Sequence, residues 1–206
     1  MEKGNTKQQI LDVALELFSV QGFEATSISQ ITEAVGIRKA SMYSHFKSKQ
    51  EILDELVKVV LEEYNKHSIF ANADWSDPEY IARMRELTPE IATEKILGQI
   101  GYILHETKVS RVRKMLTIEQ FQNPQLASLQ TKQNYTDLLK YFTGLIQFFI
   151  DKGYLAKGDA LMMASELCLP ISVWINLCDR EPEKEEETMA LIERYIKFFF
   201  SQYKKV

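Results

Sequence analysis

Gly36 separates two short apolar patterns of helical period, and this restricts what the first quarter of the chain can fold into. Upstream, Ile28, Ile31 and Val35 recur at i, i+3, i+7, which places them on one helix face. Ser27 is positioned to cap that helix, with Gln30 three residues on as the return arm of a capping box. Gly36 can adopt the positive φ that ends one helix and turns the chain into the next. Downstream, the spacing predicts a helix over 39–46 with Met42 and Phe46 buried at i, i+4. Its front carries Lys39, Ala40, Ser41, Ser44 and His45, with Tyr43 at the flank. Between Ile37 and Lys49 there are four basic residues (Arg38, Lys39, Lys47 and Lys49) and no acid. A short helix with an apolar back and a small, polar, basic front suits the DNA major groove.

The rest of the chain reads as helix after helix, without a convincing strand. A first helix is expected over about 6–20, with Ile10, Ala14 and Leu17 beside Leu11, Leu15 and Phe18. Ser48 to Glu51 is a capping box that opens a fourth helix reaching about residue 66. Residues 71–78 read as a loop, with Ser76 capping a short helix. Thr88-Pro89 and Asn123-Pro124 each read as an N-cap followed by proline at the first helical position. They open helices expected over 90–106 and 124–151, with another over 110–122 between them. Gly153 ends the long one, and a further helix over 159–177 contains Pro170. The acids from Glu183 to Glu187 open the last helix, where they complement its dipole. The fold class expected is all-α.

The net charge of −4 looks wrong for a partner of nucleic acid, but its distribution is not. Residues 1–50 hold six Lys/Arg and five Asp/Glu, a balance of +1, which leaves −5 for the remainder. Local charge is what meets phosphate. Uninterrupted apolar runs stay short of the ~18 residues of a membrane span, and the polar N-terminus has no signal core; a cytoplasmic protein with no membrane partner is expected. Cys168 and Cys178, if on one helix, lie ~15 Å apart, too far for a disulfide; they read as small buried hydrophobes. The histidines at 45, 67 and 105 are not spaced as a metal site, and no phosphate loop or catalytic constellation is present. No metal, cofactor or enzymatic activity is expected.

The N-terminal quarter resembles the DNA-binding domain of the TetR/AcrR family of transcriptional repressors. The residues that carry the likeness are Ile10-Leu11, Ala14 and Leu17-Phe18, then Gly22-Phe23. Ile31, Ala34 and Gly36-Ile37 follow, then Ser41-Met42-Tyr43, His45-Phe46 and Ser48-Lys49. Arg38 stands where the family usually has a small capping residue. The resemblance implies a helix-turn-helix DNA-binding domain over 1–47 and an effector-binding and dimerisation domain over 48–206. It implies phosphate contacts from Tyr43 and Lys49, with Lys39, Ser41, Ser44 and His45 in or beside the groove. Ala40 belongs to the same front. Ser27, Ser29 and Arg38 are further phosphate candidates. Phosphate contacts fix register, and base-edge contacts specify sequence.

In the second domain a mostly apolar effector is expected among Tyr102, His105, Glu119, Tyr141, Phe148 and Trp174. The motives are the Gly98/Gly101 pair, the proline at 170, which frees the Glu166 carbonyl, and the aromatics. The last helix has two apolar stripes: Met189, Ile192, Ile196, Phe199 and Tyr203, and Leu191, Tyr195 and Phe198. A terminal helix apolar on two sides needs a second partner, and the resemblance makes that partner another subunit. The function expected is a ligand-responsive repressor bound as a homodimer to a palindromic DNA operator. An activator, or a DNA binder without an effector, is the alternative.

Overall fold

A computed structural model describes residues 3–205, with side chains from Thr6 onward except that of His67. It is 81% helical, and among the described residues the only β-type pairing is an isolated bridge between Leu155 and Lys204. The helices are α1 (Lys3–Ala25), α2 (Ile28–Val35), α3 (Lys39–Tyr43), α4 (Lys49–His67), α5 (Ile69–Asn72) and α6 (Pro78–Arg83). They continue with α7 (Pro89–His105), α8 (Thr107–Glu119), α9 (Pro124–Thr131), α10 (Asp137–Asp151), α11 (Ala160–Arg180) and α12 (Glu185–Gln202).

The chain forms two compact units, Met1–His67 with Thr107–Thr131, and Ser68–Glu106 with Lys132–Val206. Residue 47 is therefore not a packing boundary. Helix α4 and the later segment 107–131 share one core with the N-terminal helices. That core joins Ile10, Ala14 and Phe18 of α1 to Ile31, Met42 and Phe46, then to Ile52, Leu53 and Leu56 of α4. Met115, Leu116, Leu126 and Leu129 complete it from α8 and α9. Phe18, Ile31 and Met42 are fully buried, each side chain contributing about 1.5–3 kcal/mol of apolar burial.

Local punctuation behaves largely as the chain chemistry dictates. Gly36 has φ 76°, and its N–H closes on the carbonyls of Thr32 and Glu33. Ser27 and Gln30 form the reciprocal capping box. Thr88 Oγ1 accepts from Ile91 N–H, and Asn123 Oδ1 from Gln125 and Leu126 N–H. The short helix before residue 84 is capped by Asp77 rather than Ser76, because Pro78 takes its first position. Helix α3 ends at Tyr43, short of Phe46; the chain continues through turn bonds from His45 and Phe46 N–H to Met42 O. The helix expected over 124–151 is helical throughout, but one π-helical turn, Lys132–Thr136, separates α9 from α10.

The second unit is built on α10, α11 and α12 over a core that includes Phe142, Ile146, Phe149, Leu167, Ile171, Ile192 and Ile196. Helix α11 runs through Pro170. The Glu166 carbonyl, one turn before the proline, accepts from the Tyr195 hydroxyl of α12, and Tyr203 Oη donates to the Glu166 carboxylate at 2.6 Å. By length and average hydropathy α11 is the one described helix apolar enough to cross a membrane, despite the charge at Glu166. Its Met163, Ala164, Leu167, Cys168 and Ile171 lie in the protein core. Cys168 and Cys178 are both free and buried, and burial pushes the Cys168 thiol up to about 12. A thiol held protonated is a poor redox sensor.

Candidate nucleic-acid interface

The turn at Gly36 sets α2 and α3 against the same core, and their outer sides carry the polar set. Met42 and Phe46 face inward, while Arg38, Lys39, Ala40, Ser41, Tyr43 and Ser44 are exposed and His45 is half-buried. Arg38 occupies the N-cap position of α3 without a side-chain cap bond, which leaves its guanidinium available to phosphate. Ser27 Oγ accepts from Gln30 N–H and keeps its own proton to donate. Ser29 is exposed beside it, and the first turn of α2 contains no acid.

Ser44 is less ambivalent than its residue type suggests. Its hydroxyl donates to Ser41 O at 2.7 Å, so the oxygen faces outward as an acceptor. In a groove it suits a base amino group, on adenine N6 or cytosine N4.

Lys49 departs from the sequence-based expectation. Its ammonium donates to Phe23 O at 2.6 Å, Thr26 O at 2.8 Å and Glu24 O at 3.3 Å. It also sits 4.1 Å from the centroid of the Phe23 ring. An ammonium has three protons, and all three are engaged by backbone carbonyls. The side chain thus clasps the joint between α1 and α2 and has no donor left for phosphate.

The same joint is held from its other side. Gly22 takes φ 82° and ψ 166°, a conformation open to glycine, which interrupts the helical bond ladder and frees the Phe23 N–H. Glu119 Oε1, on α8, accepts that N–H at 2.7 Å and is 5% exposed. A Cβ at Gly22 would lie 3.1 Å from Glu119 Oε1 and 3.2 Å from Ile118 Cγ2. A carboxylate on the N–H and an ammonium on the carbonyls thus fix where α2 starts. The sequence hints only that Glu119, directly after the mostly apolar Met115 to Ile118, must find a partner if buried; it does not name that partner.

The expected effector residues do not all converge. Glu119 belongs to the first unit. Tyr102 is 53% exposed, and His105 is exposed with Nε2 2.6 Å from Glu185 Oε1. Gly98 and Gly101 have nothing within 4 Å of a Cβ position. Trp174 stands edge-on to Tyr195 at 5.1 Å. Tyr141 and Phe148 do come together, around Trp75 at 5.8 and 6.0 Å between centroids. Phe70 and Tyr80 extend the cluster. Burial pushes the Tyr141 phenol up to about 12, helped by Tyr80, so it stays neutral. Trp75 was missed because 71–78 reads as a loop, and Phe70 and Tyr80, which flank that loop, were not read as part of the cluster; the regular five-residue spacing of the three was the available signal.

The family model described as "Bacterial regulatory proteins, tetR family" matches residues 10–56. HTH-type transcriptional regulator AcrR of Shigella flexneri is 46% identical over 55 residues, 27% of this chain and 26% of that protein. The biofilm operon icaADBC HTH-type negative transcriptional regulator IcaR of Staphylococcus aureus is 30% identical over 151 residues, 61% of this chain and 81% of IcaR. Among solved structures, SmeT, the repressor of the Stenotrophomonas maltophilia multidrug efflux pump SmeDEF, matches with a TM-score of 0.64 at 18% identity, over 97% of this chain and 90% of SmeT. The SmeT–triclosan complex matches with a TM-score of 0.61 at 20% identity, over 98% and 92%. These likenesses agree with the helix-turn-helix geometry, and the chain belongs to the TetR family of bacterial transcriptional regulators.

Proposed function

We propose that the protein is a repressor that binds a palindromic operator as a homodimer and is released by a small-molecule effector. The observation that carries the DNA-binding part is the acid-free front of α3, exposed while Met42 and Phe46 anchor its back in the core. Lys39, Ala40, Ser41, Ser44 and His45 read bases, and Ser27, Ser29, Arg38 and Tyr43 hold phosphates. Lys49 leaves that set and becomes a positioning residue. Residues 1–47 supply the DNA contacts, with α4, α8 and α9 as their support; effector binding and dimerisation fall to the remainder. Such a protein works where the DNA is, in the cytoplasm. The repressor reading is supported by IcaR, a negative regulator, and by SmeT, a repressor. The effector reading is supported by the triclosan complex of SmeT.

The mechanism follows from spacing. Two recognition helices must lie about one helical turn of DNA apart, ~34 Å, to enter successive major grooves. A ligand that binds better to a state with another spacing shifts the population off DNA.

The test separates positioning from readout. Tyr43→Phe should weaken binding to every sequence alike, by about threefold to tenfold, the effect of one hydrogen bond. Lys39→Ala should change which sequence is preferred, by about 1–3 kcal/mol at one base pair. Anisotropy titrations on the selected site and on scrambled DNA measure both. Equal losses on both DNAs for Lys39→Ala would remove it from the reading set.

A further inference from the structure

On α10, Tyr141, Gly144 and Phe148 share one face at i, i+3, i+7. The glycine opens a slot down to the helix backbone between two aromatic walls. The Trp75 indole fills it: a Cβ built on Gly144 would lie 2.1 Å from Trp75 Cδ1 and 2.2 Å from Cγ. Only a flat group against a glycine can sit this deep. Phe70, 5.2 Å from Tyr141, and Tyr80, 5.1 Å from Trp75, close the surroundings, and every ring that meets Trp75 is uncharged.

Two features make Trp75 an exchangeable occupant. Its indole Nε1 is buried without a protein hydrogen-bond partner, an unfavourable state for a donor. It also lies outside the helices, between α5 and α6. The hydrogen bonds around it stay local, with Ser76 N–H and Oγ on Asp74 Oδ1 and Asp77 N–H on Asp74 O. A flat ring without a buried donor fits the slot without leaving an N–H unpaired.

We infer that the Gly144 slot binds a flat, uncharged aromatic ligand, and that the ligand takes the place of the Trp75 indole and moves the segment 73–77. This rests on the proposed effector-binding role of the second unit and gives that effector a chemical class.

The chain has two tryptophans, so Trp174→Phe protein grown with 5-fluorotryptophan carries a single fluorine reporter, at position 75. Its 19F resonance is followed during titration of the full chain with naphthalene and with naphthalene-2-sulfonate. Naphthalene should move the resonance to the position of solvent-exposed fluoroindole, while the sulfonate leaves it unchanged. Gly144→Ala should show the exposed position without ligand and bind naphthalene at least tenfold more weakly. Trp75→Gly, which leaves the α10 backbone untouched, should bind it at least tenfold more tightly by calorimetry because the competing indole is gone. A resonance that stays at its buried position with excess naphthalene, or unchanged affinity in Trp75→Gly, overturns the inference. Operator release is measured separately. Displacement without release keeps the slot and contradicts the effector role; release without displacement does the reverse.

Discussion

Lys49→Ala should destabilise the first unit in the absence of DNA, by about 2–3 kcal/mol. The variant loses charge-assisted bonds to three carbonyls and a cation–π contact, at a partly exposed site where water recovers part of the loss. The urea midpoint of the variant should fall accordingly. Operator affinity should fall too, because the start of α2 is no longer fixed, while the slope of log K against log salt stays as in the wild type. A phosphate-contacting lysine behaves in the opposite way: its removal reduces the slope by about one per subunit and leaves stability nearly unchanged. The two measurements together assign the role. Glu119→Gln retains a carbonyl acceptor for the Phe23 N–H and should be mild. Glu119→Ala leaves that N–H unpaired and should cost about 1–3 kcal/mol.

Phe198→Glu should convert the proposed dimer to a monomer and reduce operator affinity by about 100-fold or more, the scale on which two linked half-sites exceed one. The two stripes of α12 separate as their pattern predicts. Ile192, Ile196 and Phe199 are buried in the second unit, while Phe198 is 54% exposed and Leu191 and Tyr195 are half-buried. Helix α11 adds Val173, 63% exposed, and Leu169, 37% exposed. Apolar side chains presented on both terminal helices are what an intersubunit bundle uses. Light scattering at micromolar concentration reads the mass, and anisotropy reads the affinity. A dimeric variant with wild-type affinity would move the interface elsewhere.

Local chain chemistry was the legible part of this molecule. Gly36, the Ser27–Gln30 box and the Thr88-Pro89 and Asn123-Pro124 caps act over four residues or fewer, and each appears where the side chains dictate. The π-helical turn at 132–136 was not legible, because Lys-Gln-Asn-Tyr-Thr contains no glycine or proline to announce it. The division into units was not legible either: 107–131 joins the N-terminal core by apolar packing across a long sequence separation. The exposed front of α3 could be read from residue type and period. The clasp could not, since Lys49 and Glu119 look like surface charges until their partners, 23 to 96 residues away, are known. Trp75 was hidden in a segment whose polar residues marked it as loop, although its ring packs against the α10 backbone.

Selection of binding sites from random double-stranded DNA by this 206-residue chain tests the proposed dimeric operator binding directly. The selected sites should be an inverted repeat whose half-site centres lie about one helical turn apart or slightly more, ~34 Å along the axis. Lys39→Ala should alter the selected base at one position in each half. Recovery of a single unrepeated motif, or of no motif above background at low salt, would contradict it.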